Sequence, residues 1–371
     1  MEKKPESKRT GQGPTKSKPA RPKSPTIAAL QKLDRELIQL CIRRAELFGE
    51  LCESGKIDPV KQADGASDIW QTAVDDDRVR PLLSHVYREV QSFSAALVNP
   101  IRVAYLGPEY SYSHLATIER FGQSAELLAV SSIPAVFESV KRGDTEYGVV
   151  PIENSTDGRI VDTLDMFVRM PINICGEIPM RIHHNLLGIG KLSEVREVHS
   201  KPQALSQCRG WISKNLPRAK LVAADSTTAA AEEAKRNSHV AAIASRQAGA
   251  NYQLQLLAKN IEDNKDNVTR FAVIGSASPK PSGKDKLSIM FELLHQPGAL
   301  ADAMAVFKRC RLNLTWIESF PKKGSPNEYI FFVELEGHQA DARVRRAIDG
   351  LTKKTARIEL LGSYPKAEPV G

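Results

Sequence analysis

The sequence predicts a multidomain protein of mixed α/β and α+β class. An N-terminal all-α helical unit comes first, an α/β domain second, and a ferredoxin-like βαββαβ unit last. Three observations predict this. Leu30, Leu33, Leu37, Leu40, Cys41, Leu47, Phe48 and Leu51 recur at three- and four-residue spacing, the mark of one apolar helical stripe. After Asn99-Pro100, short apolar runs alternate with helical stretches, the rhythm of an α/β sheet. Residues 286–366 read strand, helix, strand, strand, helix, strand, which is the split βαβ order.

The elements follow in chain order. Residues 1–23 are rich in Lys, Pro, Ser and Gly, a composition that cannot bury a core and predicts a disordered basic tail. Ser24-Pro25 reads as an N-cap with proline in the first turn, opening an amphipathic helix of about seven turns. A break at Gly55–Ser67 separates it from a second period carrying Val79, Leu82, Val86, Val90, Phe93 and Leu97. Residues 24–98 form the helical domain. The candidate strands that follow are "RVAYL" (102–106), "YGVVPI" (147–152), "HVAAIA" (239–244) and "FAVIG" (271–275). They define an α/β domain over 101–276, and the Ser-, Pro- and Lys-rich stretch 276–286 is a linker. In the last unit, "LSIMFELL", "LNLTWIESF", "YIFFVELEG" and "RIELLGSY" are strands, with helices at "PGALADAMAVFKRC" and Ala340–Leu351.

Charge and composition exclude several classes. The net charge of +8 on 371 residues resides mostly in residues 1–25, with eight Lys/Arg against two Glu. The remainder is nearly neutral, so no nucleic-acid face is expected. No apolar run reaches the length of a membrane span, and the basic N-terminus lacks the apolar stretch of a signal peptide. Five scattered cysteines show no metal or disulfide spacing, which fits reduced thiols in a cytoplasmic protein. His183 and His184 are adjacent, so their side chains diverge. A structural role is expected for them, and no metal or other cofactor is implied.

The α/β domain repeats one local device. A Ser/Thr/Asn cluster stands between strand and helix in "YSYSH" (110–114), "NSTDG" (154–158), "HSKPQA" (199–204) and "DSTTAA" (225–230). One such turn is an ordinary helix cap. Four of them at the strand ends of an open sheet face the place where such sheets bind ligands. Helix N-termini there favour a small ligand with more than one negative group. No phosphate-loop or complete dinucleotide fingerprint is present. A further polar edge is "DNVTRF" (266–271), where a charged run meets the "FAVIG" strand. It sets Thr269, Arg270 and Phe271 in a row.

These motifs carry a resemblance. "VAYLGPEYSYSHLA", "GVVPIENSTDGRIVDTLD", "SKPQALSQCRGW" and "AAIASRQAGANYQLQLLAKNIEDNKDNVTRF" together resemble the prephenate dehydratase family over about residues 101–275. The ferredoxin-like end is similar to the ACT regulatory domain of that family, with "PGAL" (297–300) and "IESFP" (317–321) at its motif positions. The resemblance implies two α/β lobes around a cleft, like a periplasmic binding protein, and decarboxylating dehydration of prephenate to phenylpyruvate in phenylalanine biosynthesis. It implies Thr269 as the catalytic hydroxyl and Arg270 and Phe271 as substrate-binding. Ser111, Ser113, Asn154, Ser155 and Ser200 would hold the two carboxylates. Phenylalanine as effector would meet Gly298, Ala299, Leu300, Glu318 and Ser319, and the chain would be a homodimer or homotetramer. Three positions depart from the family pattern: Tyr110 for a small residue, Lys201 for histidine and Phe320 for arginine.

The helical domain resembles the chorismate mutase module fused ahead of such dehydratases, through "LDRELIQLCIRRAELFGEL". Arg44 lies within its apolar stripe, where an inward cation wants an anion. The module's other charged positions fall on Ile27, on Gly55 beside Lys56, and on Val98, with Asp64 and Asp68 as remnants of an acidic cluster. Weak or absent mutase activity is therefore expected, with the helices kept for dimerisation or regulation. Two alternatives stand beside this reading: a fully bifunctional enzyme, and a non-catalytic two-lobed metabolite sensor.

Overall fold

The structure, a computed structural model, describes residues 26–56, 76, 79–293, 295–322 and 325–370. The tail at 1–23, the Ser24-Pro25 cap, Asp64 and Asp68 lie outside these residues. By internal contacts the chain divides into two units, 1–43 and 44–371. The described part of the first is the opening of helix α1 (Ile27–Glu53). Thr26 caps it, its Oγ1 accepting from the Ala29 amide at 3.2 Å. Leu30, Leu33, Leu37 and Leu40 are each more than half exposed.

In the second unit, the end of α1 is joined by α2 (Arg80–Val98). Phe48 and Ala95 from these helices pack in one cluster with Ile101, Val103 and Tyr105 of the following domain. Arg44 donates to Ser94 Oγ and stands 5.7 Å from the Tyr87 ring centre. Its guanidinium thus meets neutral groups of this chain.

The α/β domain is built as two lobes. The first begins with β1 (Arg102–Leu106), α3 (Tyr112–Phe121), β2 (Glu126–Val130), α4 (Ile133–Arg142) and β3 (Tyr147–Asn154). It continues with β4 (Gly158–Arg159), α5 (Val161–Arg169) and β5 (Asn173–Arg181). The second lobe holds β6 (Asn185–Gly188), β7 (Glu197–Ser200), α6 (Pro202–Gln207), α7 (Arg209–Asn215) and β8 (Lys220–Ala223). It ends with α8 (Thr227–Arg236), β9 (Val240–Ala244), α9 (Arg246–Asn251) and β10 (Gln255–Ala258). Strand β11 (Val268–Gly275) then returns to the first lobe, whose sheet has the order β2-β1-β3-β11-β5, with β4 on β3. The second sheet runs β10-β6-β9-β7-β8. The chain therefore crosses between lobes twice, after β5 and before β11.

Two expectations need correction. The strand with Thr269 starts at Val268 rather than Phe271, because Val-Thr-Arg-Phe is itself a β-favouring run. The "NSTDG" turn opens no helix: it closes a hairpin in which Asn154 pairs with Gly158, and Gly158 takes φ of +81°. Strands β2 (ELLAV) and β8 (KLVA) were not anticipated either, and both are sheet edges whose side chains are mostly exposed.

The C-terminal unit comprises β12 (Asp285–Leu293), α10 (Ala299–Arg309), β13 (Leu314–Lys322), β14 (Ser325–Glu336), α11 (Ala342–Thr352) and β15 (Thr355–Pro365). Its antiparallel sheet has the order β13-β14-β12-β15, with both helices over a core of Leu287, Ile289, Val306, Phe307, Val333 and Leu351. The other sheet face packs on the first lobe, where Met290, Phe332 and Tyr364 share a cluster with Val150, Ile152, Phe167 and Ile274. Gly362 makes that approach close. It has φ of +134°, and a Cβ there would fall 2.2 Å from the Ile174 carbonyl oxygen.

Candidate active site

A cavity of about 600 Å³ opens between the two lobes. Each of the four hydroxyl-rich turns contributes to it: Ser111 and Ser113, Asn154, Lys201, and Asp225 through Thr227. Ser111 caps α3 by accepting from the His114 amide at 3.3 Å, and Ser226 caps α8 by accepting from Ala229 at 2.8 Å. Both helix starts thus point amide groups at the cavity. Leu106, Val130, Ile160 and Phe271 supply apolar wall.

The strand register explains what else faces inward. Thr269 and Phe271 are two residues apart and share the cleft face of β11, while Arg270 points to the opposite face. Across from them, Pro151 and Asn154 also line the cleft, although three residues apart. A bulge permits this: Phe271 pairs with Pro151 and Arg270 with Glu153, leaving Ile152 as the extra residue. Such bulges re-aim side chains, and this one sets Asn154 opposite Thr269. It also accommodates Pro151, which has no amide proton for the ladder.

Asn154 Nδ2 donates to Thr269 Oγ1 at 2.8 Å and to Asn267 Oδ1 at 3.0 Å. Its own Oδ1 accepts from the amides of Thr156 and Asp157 at 2.9 and 3.0 Å, which fixes the amide's orientation. The Thr269 oxygen is therefore an acceptor towards Asn154, and its proton is left to be donated elsewhere. Asn267 Nδ2 donates to Gln207 Oε1 at 3.0 Å, and His184 Nε2 lies 2.8 Å from the same oxygen. Since that oxygen accepts, His184 carries its proton on Nε2. Its bare Nδ1 is buried and has no hydrogen-bond partner among the described residues. Burial, the largest influence, holds the His184 imidazole below its ordinary value, against the Gln207 hydrogen bond. Asp157 joins the lobes by accepting from Gln203 and Gln207.

The other anticipated residues lie elsewhere. Arg270 does not line the cleft. Its Nη1 and Nη2 donate to Glu334 of β14 at 2.6 and 2.8 Å, its Nε is 3.2 Å from Glu153 Oε2, and its guanidinium stands 5.2 Å from the Trp316 ring centre. Ser155 Oγ donates to the Asp266 carbonyl and accepts from the Val268 amide, pinning the start of β11. Ser200 is buried and donates to the Ile243 carbonyl at 2.7 Å. Its place in the cleft is taken by Lys201, the only Lys or Arg among the described residues that line it. Tyr110 stays outside the cavity at φ of +63° and packs against the second-lobe cluster that includes Leu187, Ala230 and Ala244. That positive φ favours glycine.

In the C-terminal unit, Gly298 at φ of +83° precedes α10, with Ala299 and Leu300 in its first turn. Glu318 and Ser319 lie on β13, and Glu318 accepts from Arg159 of β4 at 2.8 Å. Phe320 packs against the cluster shared with the first lobe. Sequence reasoning missed His184, Gln207 and Asn267 as parts of the cleft network. Asn267 lies inside "DNVTRF" and Gln207 inside "SKPQALSQCRGW", but neither was singled out there, and His184 was expected to be structural.

Comparisons with known proteins agree in direction. The family model for prephenate dehydratase matches residues 103–279. A bifunctional chorismate mutase/prephenate dehydratase of Aquifex aeolicus is 39% identical over 349 residues, covering 91% of this chain and 96% of that protein. The structure of an Arthrobacter aurescens prephenate dehydratase in complex with L-Phe has 30% identity and a TM-score of 0.68, covering 73% of this chain and 92% of that one. A structure described as a novel type of quorum quenching acylase has 29% identity and a TM-score of 0.66, covering 72% of this chain and 98% of that one. With the two-lobed fold and ferredoxin-like end in place, these similarities establish that the chain belongs to the prephenate dehydratase family.

Proposed function

We propose that this prephenate dehydratase works by orienting a dianionic ring in the interlobe cleft while the Thr269 hydroxyl hydrogen-bonds to the departing oxygen. The bond between the ring and its carboxylate breaks, and that electron pair aromatises the ring. The C–O bond breaks on the far side, and the oxygen takes up a proton and leaves as water beside carbon dioxide. Threonine is too weak an acid to transfer its proton ahead of cleavage, so the hydrogen bond strengthens in concert with it. The observation that carries this reading is the 2.8 Å Asn154-to-Thr269 bond, which turns the threonine into a donor towards the cleft. Hydrolysis of an acyl group would need a base on that hydroxyl, and its hydrogen-bond neighbour is an amide donor.

In this reading Lys201 takes the carboxylate role the sequence assigned to Arg270. It acts with the amides of the turn at Ser111 and Ser113 and of α8. Phe271 and the aliphatic wall hold the ring. Incubation with prephenate should give phenylpyruvate, followed by its absorbance in alkali, and Thr269→Ala should lose it. Equal rates in both proteins would remove Thr269 from the mechanism, and no product in either would favour a metabolite sensor.

We also infer feedback by phenylalanine at the turn of Gly298, Ala299 and Leu300 together with Glu318 and Ser319, supported by the L-Phe complex of the Arthrobacter relative. The functional division is into 24–98, 101–276 and 286–366. Mutase activity is weak or absent, because Arg44 is already engaged by Ser94 and Tyr87, and Ile27, Gly55 and Val98 offer no charge. The bifunctional relatives favour the other reading, and chorismate turnover near the prephenate rate would establish it. The exposed leucines of α1 suit self-association into a dimer or tetramer, which sedimentation would measure. The setting proposed is cytoplasmic; no described helix is long and apolar enough to cross a membrane.

A further inference from the structure

Five charged groups meet where the C-terminal sheet covers the first lobe, and the dehydration chemistry uses none of them. Arg270 is clasped by Glu334 in a bidentate pair at 2.6 and 2.8 Å. Glu177 of β5 stands 3.6 Å from Arg270 and accepts from Lys286 of β12 at 2.8 Å. Glu153 completes the group, and Tyr364 donates to Glu334 at 3.0 Å. Glu334 is wholly buried, and Glu177 and Lys286 are nearly so. Burial, the largest influence on Arg270, pulls its pKa down, but the charge and hydrogen bonds of Glu334 outweigh it and hold it above its ordinary value.

Buried ion clusters are poor stabilisers, because desolvation consumes most of the Coulomb gain. What a bidentate pair supplies is fixed geometry. Here that geometry runs from β14 to the residue beside Thr269. A second link of the same kind joins Glu318 on β13 to Arg159 at 2.8 Å, and Arg159 closes the hairpin that carries Asn154. Both partners of the catalytic hydrogen bond are thus tied, one residue or one hairpin away, to carboxylates of the C-terminal sheet.

We propose that Glu334 is a positioning residue of the dehydratase. Through Arg270 it sets the strand that presents Thr269, and with the Glu318–Arg159 pair it transmits the state of the effector domain to that hydroxyl. The inference rests on the dehydratase reading and on phenylalanine as effector, and it deepens both. Glu334 lies outside the effector motifs, so effector binding and effector response can be separated by altering it.

The test is Glu334→Gln, which leaves two cations facing two carboxylates and so avoids an orphaned buried charge, with Glu334→Asp as the charge-conserving comparison. Phenylalanine binding, read by calorimetry, should stay within about threefold of wild type, while its effect on turnover shrinks by at least about fivefold. Basal kcat should fall about three- to tenfold with KM within about twofold. Hydrogen exchange over residues 266–275 should quicken in the variant with no ligand present, and Glu334→Asp should recover part of each effect. Wild-type kcat, response and exchange in Glu334→Gln would overturn the proposal. If wild type makes no phenylpyruvate, the dehydratase reading fails, and if it does not bind phenylalanine, the effector reading fails. The exchange measurement still decides whether Glu334 holds the strand.

Discussion

The side-chain amide of Asn154 donates to the hydroxyl oxygen of Thr269 across 2.8 Å, from neighbouring strands of one sheet. The polarity of that bond matters more than its strength, since it decides which way the threonine proton faces. Thr269→Ala should lower kcat by about 10²- to 10³-fold, the usual cost of one lost donor at a developing oxyanion. KM should move little, and Thr269→Ser should retain most activity. Steady-state phenylpyruvate formation measures all three.

Replacing Asn154 with aspartate reverses the bond, because a carboxylate accepts and draws the threonine proton away from the cleft. Asn154→Asp should therefore be more damaging to kcat than Asn154→Ser, although its shape is nearly unchanged. Similar kcat values for the two would mean that bond polarity is irrelevant.

Lys201 is the only lysine or arginine among the described residues that line the cleft. Lys201→Met should raise KM by roughly 10- to 100-fold, the loss of one charge-assisted hydrogen bond. Lys201→Arg should restore part of it. An unchanged KM would place the substrate carboxylates elsewhere.

His184 is buried with its pKa held below the ordinary value of 6.5. The unfolded chain then binds more protons than the folded one between the folded pKa and 6.5, so stability is lost as pH falls through that window. In His184→Gln the loss of Tm between neutral pH and pH 5 should be smaller than in wild type. Parallel Tm curves would exclude the imidazole as the cause.

Gly362→Ala places a methyl group against the Ile174 carbonyl at a left-handed φ. It should destabilise the protein by about 1–3 kcal/mol. If the contact is what holds the C-terminal sheet on the first lobe, the phenylalanine response should weaken with it. Denaturant unfolding and the inhibition assay report the two effects.

The periodicity of residues 30–51, the βαββαβ order of residues 286–366 and the hydroxyl-rich turns were legible because each is local. Helical stripes, strand alternation and Ser or Thr caps act within a few residues. The motifs placed Thr269, Phe271, Ser111, Ser113 and Asn154, all of which line the cleft. Arg270 leaves the cleft because successive side chains of a strand face opposite sides, so Thr269 and Arg270 cannot share the cleft face, while the bulge at Ile152 re-aims Asn154. Glu177 and Glu334 did leave a trace: each stands within an apolar run, "CGEIPM" and "IFFVEL", and a buried charge demands a partner. Nothing local could name that partner.

The sequence by itself determined the elements, their order and the chemistry on offer at each turn, since these follow from interactions between near neighbours. Only the tertiary structure decided which of those groups share a cavity and which are spent elsewhere. Thr269 with Asn154 and Arg270 with Glu334 join residues more than 60 positions apart. Pairs so distant along the chain are set by strand register and by the packing of one sheet on another, which no short stretch of sequence encodes.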